Sequence, residues 1–207
     1  MDTEKRQLFS IYKSEEDKNK IILDNTILML SNRIYIDKDG SKHPLLNYEN
    51  ASNTVDKNND GVYIINADNG EKYALKIIYG NVTKIGKQST VYIFLKDYAK
   101  INKIIVATSF RNKIEEYVSE HQTQIFLENI LLLNLIDHFL MPKFEPLSPI
   151  EMEMVRSEYG ITQYTTKKMV FADPIVKYFN LKIGDFIRII RPSPTTGEAI
   201  DYRVVVD

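Results

Sequence analysis

The chain has 207 residues, enough for one large domain or two modest ones. Its 27 Lys plus Arg nearly cancel 28 Asp plus Glu, for a net charge of -1, which excludes a polycation that coats nucleic acid along its whole length. An apolar content of 43% excludes disorder throughout, and the lack of cysteine excludes disulfide scaffolds, thiolate zinc sites and cysteine nucleophiles.

Residues 4–34 carry apolar side chains at helical spacing: Leu8, Ile11 and Tyr12, then Ile21, Ile22, Leu28 and Leu30. The polar run 14–19 separates the two groups, which predicts two helices. Residues 37–60 are rich in Asp, Asn, Ser and Lys and are expected to form a long loop. Residues 61–67 and 71–79 read as strands joined by Asp68, Asn69 and Gly70, residue types that accept the positive φ of a tight hairpin. Residues 88–102 fit a helix through Val91, Phe94, Leu95, Tyr98 and Ile101 and a strand through Val91, Ile93 and Leu95; their length favours the helix. A strand at 104–108, a helix at 111–120 and a strand at 124–127 follow. This alternation predicts an α/β domain with a partly parallel sheet over residues 1–141.

The most apolar stretch, 130–140, is too short to cross a bilayer and contains Asp137 and His138, while the N-terminus opens on charged residues instead of a signal peptide. A soluble, intracellular protein is expected. Pro142, Pro146 and Pro149 then fall within eight residues, a density natural for a linker between domains. Ser148 and Glu151 form a capping box with Pro149 in the first helical position, and Gly160 suits the helix stop. Asp173 and Pro174 repeat the start signal for a short helix ending near Asn180. Gly184 and Asp185 turn into a strand at 186–191, and 199–206 forms the last strand. Residues 142–207 thus read as a small α+β domain. Its strand at 186–191 is apolar on both faces. One face packs on the domain's own helix; the other needs a cover, supplied by the N-terminal domain or by another polypeptide.

Charge is unevenly spread. Residues 72–113 hold nine bases and one acid, Asp97, whereas 114–141 hold five acids and no base. Such a segment either solvates one face or meets phosphates. Asp56, Asn58, Asp60 and Gly61 match the opening of an EF-hand loop, but the twelfth position, which needs a bidentate Glu, is Ala67, so calcium is rejected. A metal-dependent nuclease would cluster carboxylates around a phosphate. Asp68, Glu71 and Asp97 form no such motif, and His43, His121 and His138 lack metal-ligand spacing. No phosphate-binding Gly loop or nucleophile elbow occurs, so no metal or catalytic residue is assigned.

Asp137, His138, Leu140 and Pro142, then Ala172, Asp173, Pro174, Tyr178, Phe179, Leu181, Lys182 and Gly184, then Ile189, Ile190, Arg191, Pro192, Ser193, Thr196, Gly197, Tyr202 and Arg203 carry a resemblance. In that order they are similar to the assembly module of the fifth subunit of eukaryotic RNA polymerases and to its small counterpart in the archaeal enzyme. Residues 1–136 resemble the jaw domain of the same subunit in length, element order and position. Archaeal forms lack the jaw, so the resemblance points to a cellular eukaryotic enzyme or to that of a large DNA virus. It implies a non-catalytic subunit without cofactor, metal, membrane or small-molecule substrate, located in the nucleus if cellular and in the virion or host cytoplasm if viral. It further implies that the C-terminal domain docks on the largest subunit, next to neighbouring subunits, and that the jaw lies beside downstream duplex DNA.

The docking candidates are Asp173, Tyr178, Arg188, Arg191, Pro192, Ser193, Thr196, Gly197, Tyr202 and Arg203. Asp173 also reads as a cap, Pro192 and Gly197 as turn formers, and Tyr202 as core. Family members usually carry Leu-Pro-Arg where this chain has Thr166, Lys167 and Lys168, and a basic residue where it has Phe171. The jaw's Thr-Pro-Ser turn, which approaches DNA in cellular relatives, is replaced by a helix start at Phe110, followed by Arg111, Asn112 and Lys113, the DNA-proximal candidates. The competing functions are a metal-dependent nuclease-like enzyme and a free-standing DNA-binding module resting on the basic segment.

Overall fold

The computed structural model describes residues 13–207 apart from 38, 49–54, 59, 139 and 163. The first expected helix, with Leu8, Ile11 and Tyr12, lies outside the described residues. The second is α1, Glu15–Asn32, and the polar run expected to interrupt the helices is its first turn. The Ser14 hydroxyl accepts from the Asp17 amide while the Asp17 carboxylate accepts from Ser14, and Glu15, Glu16 and Asp17 sit where the helix dipole favours negative charge. Ile22, Ile27, Met29 and Leu30 line its buried side.

Beyond α1, Ile34–Ile36 (β1) pairs antiparallel with Lys42–Pro44 (β2), and Val55–Lys57 (β3) joins the main sheet. The polar stretch 37–60 is therefore not one long loop. Residues 42–44 and 55–57 of it are strand-paired, and Leu45 and Leu46, its adjacent apolar pair, are buried in the core. The EF-hand-like residues lie at the hairpin between β3 and Val62–Asn66 (β4), where Gly61 takes φ 68°.

The main sheet runs β3-β4-β5-β6-β7, with β5 at Lys72–Val82, β6 at Asn102–Phe110 and β7 at Thr123–Leu127. β3, β4 and β5 are antiparallel; β5, β6 and β7 are parallel, crossing over through α2 (Thr90–Asp97) and α3 (Asn112–Glu120). The expected partly parallel α/β arrangement is present. Alternate residues face opposite ways. Ala74, Ile105, Ala107 and Ile125 pack on Val91, Phe94, Leu95, Ile114 and Val118 of α2 and α3. Ile65, Leu75, Ile104, Val106 and Phe126 point to the other side, toward α1 and the short helix α4, Glu128–Leu132.

The second sheet has the order β8-β10-β11-β9. β8 is Lys143–Pro146, β9 Lys167–Val170, β10 Phe186–Ser193 and β11 Gly197–Val206. β8 corrects the reading of the proline cluster as linker: proline is tolerated on an edge strand, and Pro142, Pro146 and Pro149 precede the strand, end it and open α5, Pro149–Tyr159. Ser148 and Glu151 make the expected capping box, and Gly160 ends α5 at φ 63°. Asp173 caps α6, Pro174–Phe179, by accepting from the Ile175 amide, and Asn180 closes it in the left-handed region. β9 carries no strand signature in its sequence; it is held by parallel pairing with β11.

Over residues 186–189 both faces of β10 are largely covered within the chain, whereas Ile190 is half-buried and its β11 partner Ile200 is exposed. Arg156 of α5 lies 5.2 Å over the Phe186 ring on one face. Ile187 and Ile189 on the other belong to a core that includes α6, α1 and the main sheet. One continuous apolar cluster thus joins the two sheets.

Candidate interaction surfaces

α6 forms the joint between the sheets. Arg33, directly after α1, is only 3% exposed. Its Nε donates to the Tyr178 carbonyl at 2.7 Å and an Nη to the Lys177 carbonyl at 3.2 Å, supplying donors that the last turn of a helix lacks. Burial pulls its pKa down to about 10, and the nearby Tyr73 and Tyr178 work against that shift. Lys177 pairs with Glu115 of α3, and Gln124 of β7 donates to Asn180 at 2.6 Å. Arg33 has no signature in the sequence, since its partner carbonyls lie more than 140 residues away.

This joint absorbs part of the candidate docking set. Tyr178 is 3% exposed, and its hydroxyl accepts from Asn32, so it bears on docking only through the position of α6. Asp173 is engaged as the α6 cap. Arg188 is half-buried, 3.2 Å from Glu145 and 5.9 Å over the Tyr202 ring. Arg203 faces Asp201 at 3.8 Å, an ion-pair distance too long for a hydrogen bond. Glu145 and Asp201, absent from the candidate set, are the counter-charges: Glu145 also holds Lys143 at 2.7 Å and Asp201 holds Lys167 at 3.0 Å.

The remaining candidates form the tip of the β10–β11 hairpin. Arg191, Pro192, Thr196 and Gly197 are exposed, and Arg191 makes no ion pair among the described residues. Gly197 takes φ 77°, where a side chain is strained. The Thr196 amide donates to the Ser193 hydroxyl, and the Thr196 hydroxyl donates to the Glu198 carbonyl at 2.9 Å. The tip is therefore a shaped turn that presents the Arg191 cation.

Arg111, Asn112 and Lys113 lie together and exposed where β6 passes into α3, with Arg111 in the N-cap position and no side chain capping the helix. Within the basic segment Lys76 is half-buried, and Lys103 departs furthest from exposure. It is 2% exposed, its Nζ donates to the Tyr98 and Ile101 carbonyls, and burial lowers its pKa. No group of three or more His, Asp or Glu able to hold a metal occurs among the described residues, and no described helix is long and apolar enough to cross a membrane.

The family described as RNA polymerase Rpb5, C-terminal domain, matches residues 133–205. The chain is 49% identical over 201 residues to DNA-directed RNA polymerase subunit 5 of Acanthamoeba polyphaga mimivirus, covering 97% of this chain and 98% of the relative. It is 26% identical to the Dictyostelium discoideum protein named DNA-directed RNA polymerases I, II, and III subunit rpabc1, over 92% of this chain and all of that one. DNA-directed RNA polymerase subunit Rpo5 of Methanothrix thermoacetophila is 41% identical over 71 residues, which are 34% of this chain but 91% of the archaeal protein. The archaeal likeness spans about a third of the chain; the viral and amoebal ones span nearly all of it.

Proposed function

The chain belongs to the DNA-directed RNA polymerase subunit 5 family, and from that membership we propose that it is a non-catalytic subunit which docks on the largest polymerase subunit and sets a jaw beside the downstream duplex. The observation that carries this reading is the 49% identity to a viral subunit 5 over 97% of the chain. Residues 1–141 are the jaw and 142–207 the assembly domain, a division supported by the archaeal relative, whose likeness covers only a third of this chain. The protein resides with its polymerase, in the virion or host cytoplasm if viral and in the nucleus if cellular.

Docking runs through the hairpin tip, with Arg191, Pro192, Ser193, Thr196 and Gly197 as contacts. Arg188, Tyr202 and Arg203 shape the sheet behind them, and Asp173 and Tyr178 hold α6. Arginine at an exposed turn is a residue type enriched at protein interfaces. Arg111, Asn112 and Lys113 face the duplex, where exposed first-turn amides and two cations suit phosphate.

A tagged copy expressed with its polymerase tests the assignment. Recovery of the two largest subunits at equal stoichiometry supports it; a monomer with nuclease activity or strong duplex binding of its own overturns it. Arg111→Glu with Lys113→Glu is expected to weaken downstream-duplex contact and leave assembly intact. Loss of assembly would place that pair in a subunit interface instead.

A further inference from the structure

Eight ion pairs are present among the described residues, and their cations are Lys18, Lys42, Lys143, Arg156, Lys167, Lys177, Arg188 and Arg203. Not one comes from residues 72–113, the segment with nine bases and a single acid. Outside the segment about half of the described cations have a carboxylate partner; inside it none has.

The topology sorts six of these bases into two groups at opposite ends of the sheet, leaving out Lys76, Lys103 and Lys96, the last in the final turn of α2. β5 and β6 are parallel, and Val82 pairs with Phe110, so the chain leaves both strands side by side, about 5 Å apart. From β5 it enters residues 83–89, from β6 residues 111–113. Ile85 and Phe110 both pack on the apolar cluster beneath α2 and α3. That anchor fixes the course of residues 83–89 and leaves Lys84 and Lys87 exposed on either side of Ile85. Lys84, Lys87, Arg111 and Lys113 therefore share one end of the sheet. Glu115, in the first turn of α3, is held by Lys177, and Glu116 is the next acid along the helix. The acidic first turn of α1 belongs to the opposite face, where the Tyr79 hydroxyl donates to the Glu15 carbonyl.

Lys72 opens β5 and Lys100 precedes β6, so both belong to the other end, about 30 Å away at some 3.3 Å per residue. Lys76 is tied to the Asp60 carbonyl, and Lys103 is buried.

We propose that Lys84 and Lys87 join Arg111 and Lys113 in a phosphate-binding edge that tracks the backbone of downstream duplex DNA, while Lys72 and Lys100 take no part. Four like charges without counter-ions repel one another, and a polyanion relieves that repulsion while releasing its own condensed cations. The inference rests on the jaw reading given above and extends the contact to a second segment of chain.

The test uses polymerase assembled with variant subunits and template duplexes that either extend ahead of the active centre or stop short of this subunit, with affinity followed against salt. Each phosphate contact contributes about 0.9 to the slope of log affinity against log salt. Lys84→Ala with Lys87→Ala is expected to flatten the slope by about 1 to 2 on the long duplex, by a similar amount as Arg111→Ala with Lys113→Ala, and to change nothing on the short one. Lys72→Ala with Lys100→Ala is expected to leave both slopes alone. An unchanged slope for the Lys84 and Lys87 pair, with a flattened one for Arg111 and Lys113, overturns the extended edge and spares the jaw reading. If neither pair alters the slope, the jaw reading fails with it. An equal effect from Lys72 and Lys100 overturns the edge in favour of diffuse charge.

Discussion

In the four-stranded sheet Glu145 sits between Lys143 and Arg188, and Asp201 between Lys167 and Arg203, whereas the end of the five-stranded sheet where β5 and β6 finish holds Lys84, Lys87, Arg111 and Lys113 with no carboxylate among the described residues paired to any of them. The difference bears on what each region can touch. The paired charges of the four-stranded sheet can be covered by another polypeptide without stranding an ion, and the single unpaired Arg191 at the tip is left for a counter-charge on the partner. A surface of unpaired cations resists such cover and gains from phosphate. A net charge of -1 thus averages over two surfaces suited to two kinds of partner.

The two surfaces belong to one folded body. Leu30→Ala tests that unity most severely, because Leu30 is fully buried in the cluster that joins the sheets. A loss of about 2–5 kcal/mol is expected, with hydrogen-exchange protection falling in both sheets together; a fall confined to the five-stranded sheet would mean two independent cores. Arg33→Met strikes the joint itself, leaving the Lys177 and Tyr178 carbonyls without their donor at a cost of about 1–3 kcal/mol. Its signature is faster amide exchange at the end of α6 than in β10, and an α6 that stays fully protected would refute the joint.

Glu145→Gln makes the surface of the four-stranded sheet resemble the cationic end. The loss is expected to be about 0.5–1 kcal/mol, since the pairs are partly exposed. The hydrogen bond from Lys143, with help from Arg188 and against the opposing effect of burial, holds the Glu145 carboxyl below its ordinary pKa. The folded value being depressed, its contribution is complete above about pH 4.3 and disappears as pH falls through the folded pKa. Urea unfolding across pH 3–6 is expected to show wild type and variant converging at the acid end. Lys87→Glu makes the cationic end resemble the surface of the four-stranded sheet. A gain of a few tenths of a kcal/mol at low ionic strength, fading in about 1 M salt, is expected from thermal unfolding. A loss at low salt would show that the four cations do not feel one another.

Much of the fold was legible where a single residue type answers a local backbone demand. Ser148, Pro149, Glu151 and Gly160 bracket α5, and Asp173, Pro174 and Asn180 bracket α6, as their sequence predicts. The hairpin at 68–70 likewise closes where Asp68, Asn69 and Gly70 stand, with Gly70 at φ 84°. Elements held from outside were not legible. β9 exists because β11 pairs with it, and β8 because an edge position forgives its prolines. The same limit applies to the surfaces. The basic segment could be counted from the sequence, but that Lys103 is buried, that Lys72 and Lys100 lie at the far end, and that Glu145 and Asp201 neutralise two of the docking arginines are consequences of strand pairing and register.

The order β8-β10-β11-β9 also has a bearing on time. The five-stranded sheet has all its strands once residue 127 is made, but β9 has no partner in the second sheet until β11, ending at Val206, has been synthesised. At roughly 5–20 residues per second that gap is several seconds, long for the closing of a small sheet. On the ribosome the basic edge is complete while the hairpin tip is still missing the strand that shapes it. Synthesis thus delays presentation of the tip until the rest of the chain has had time to fold.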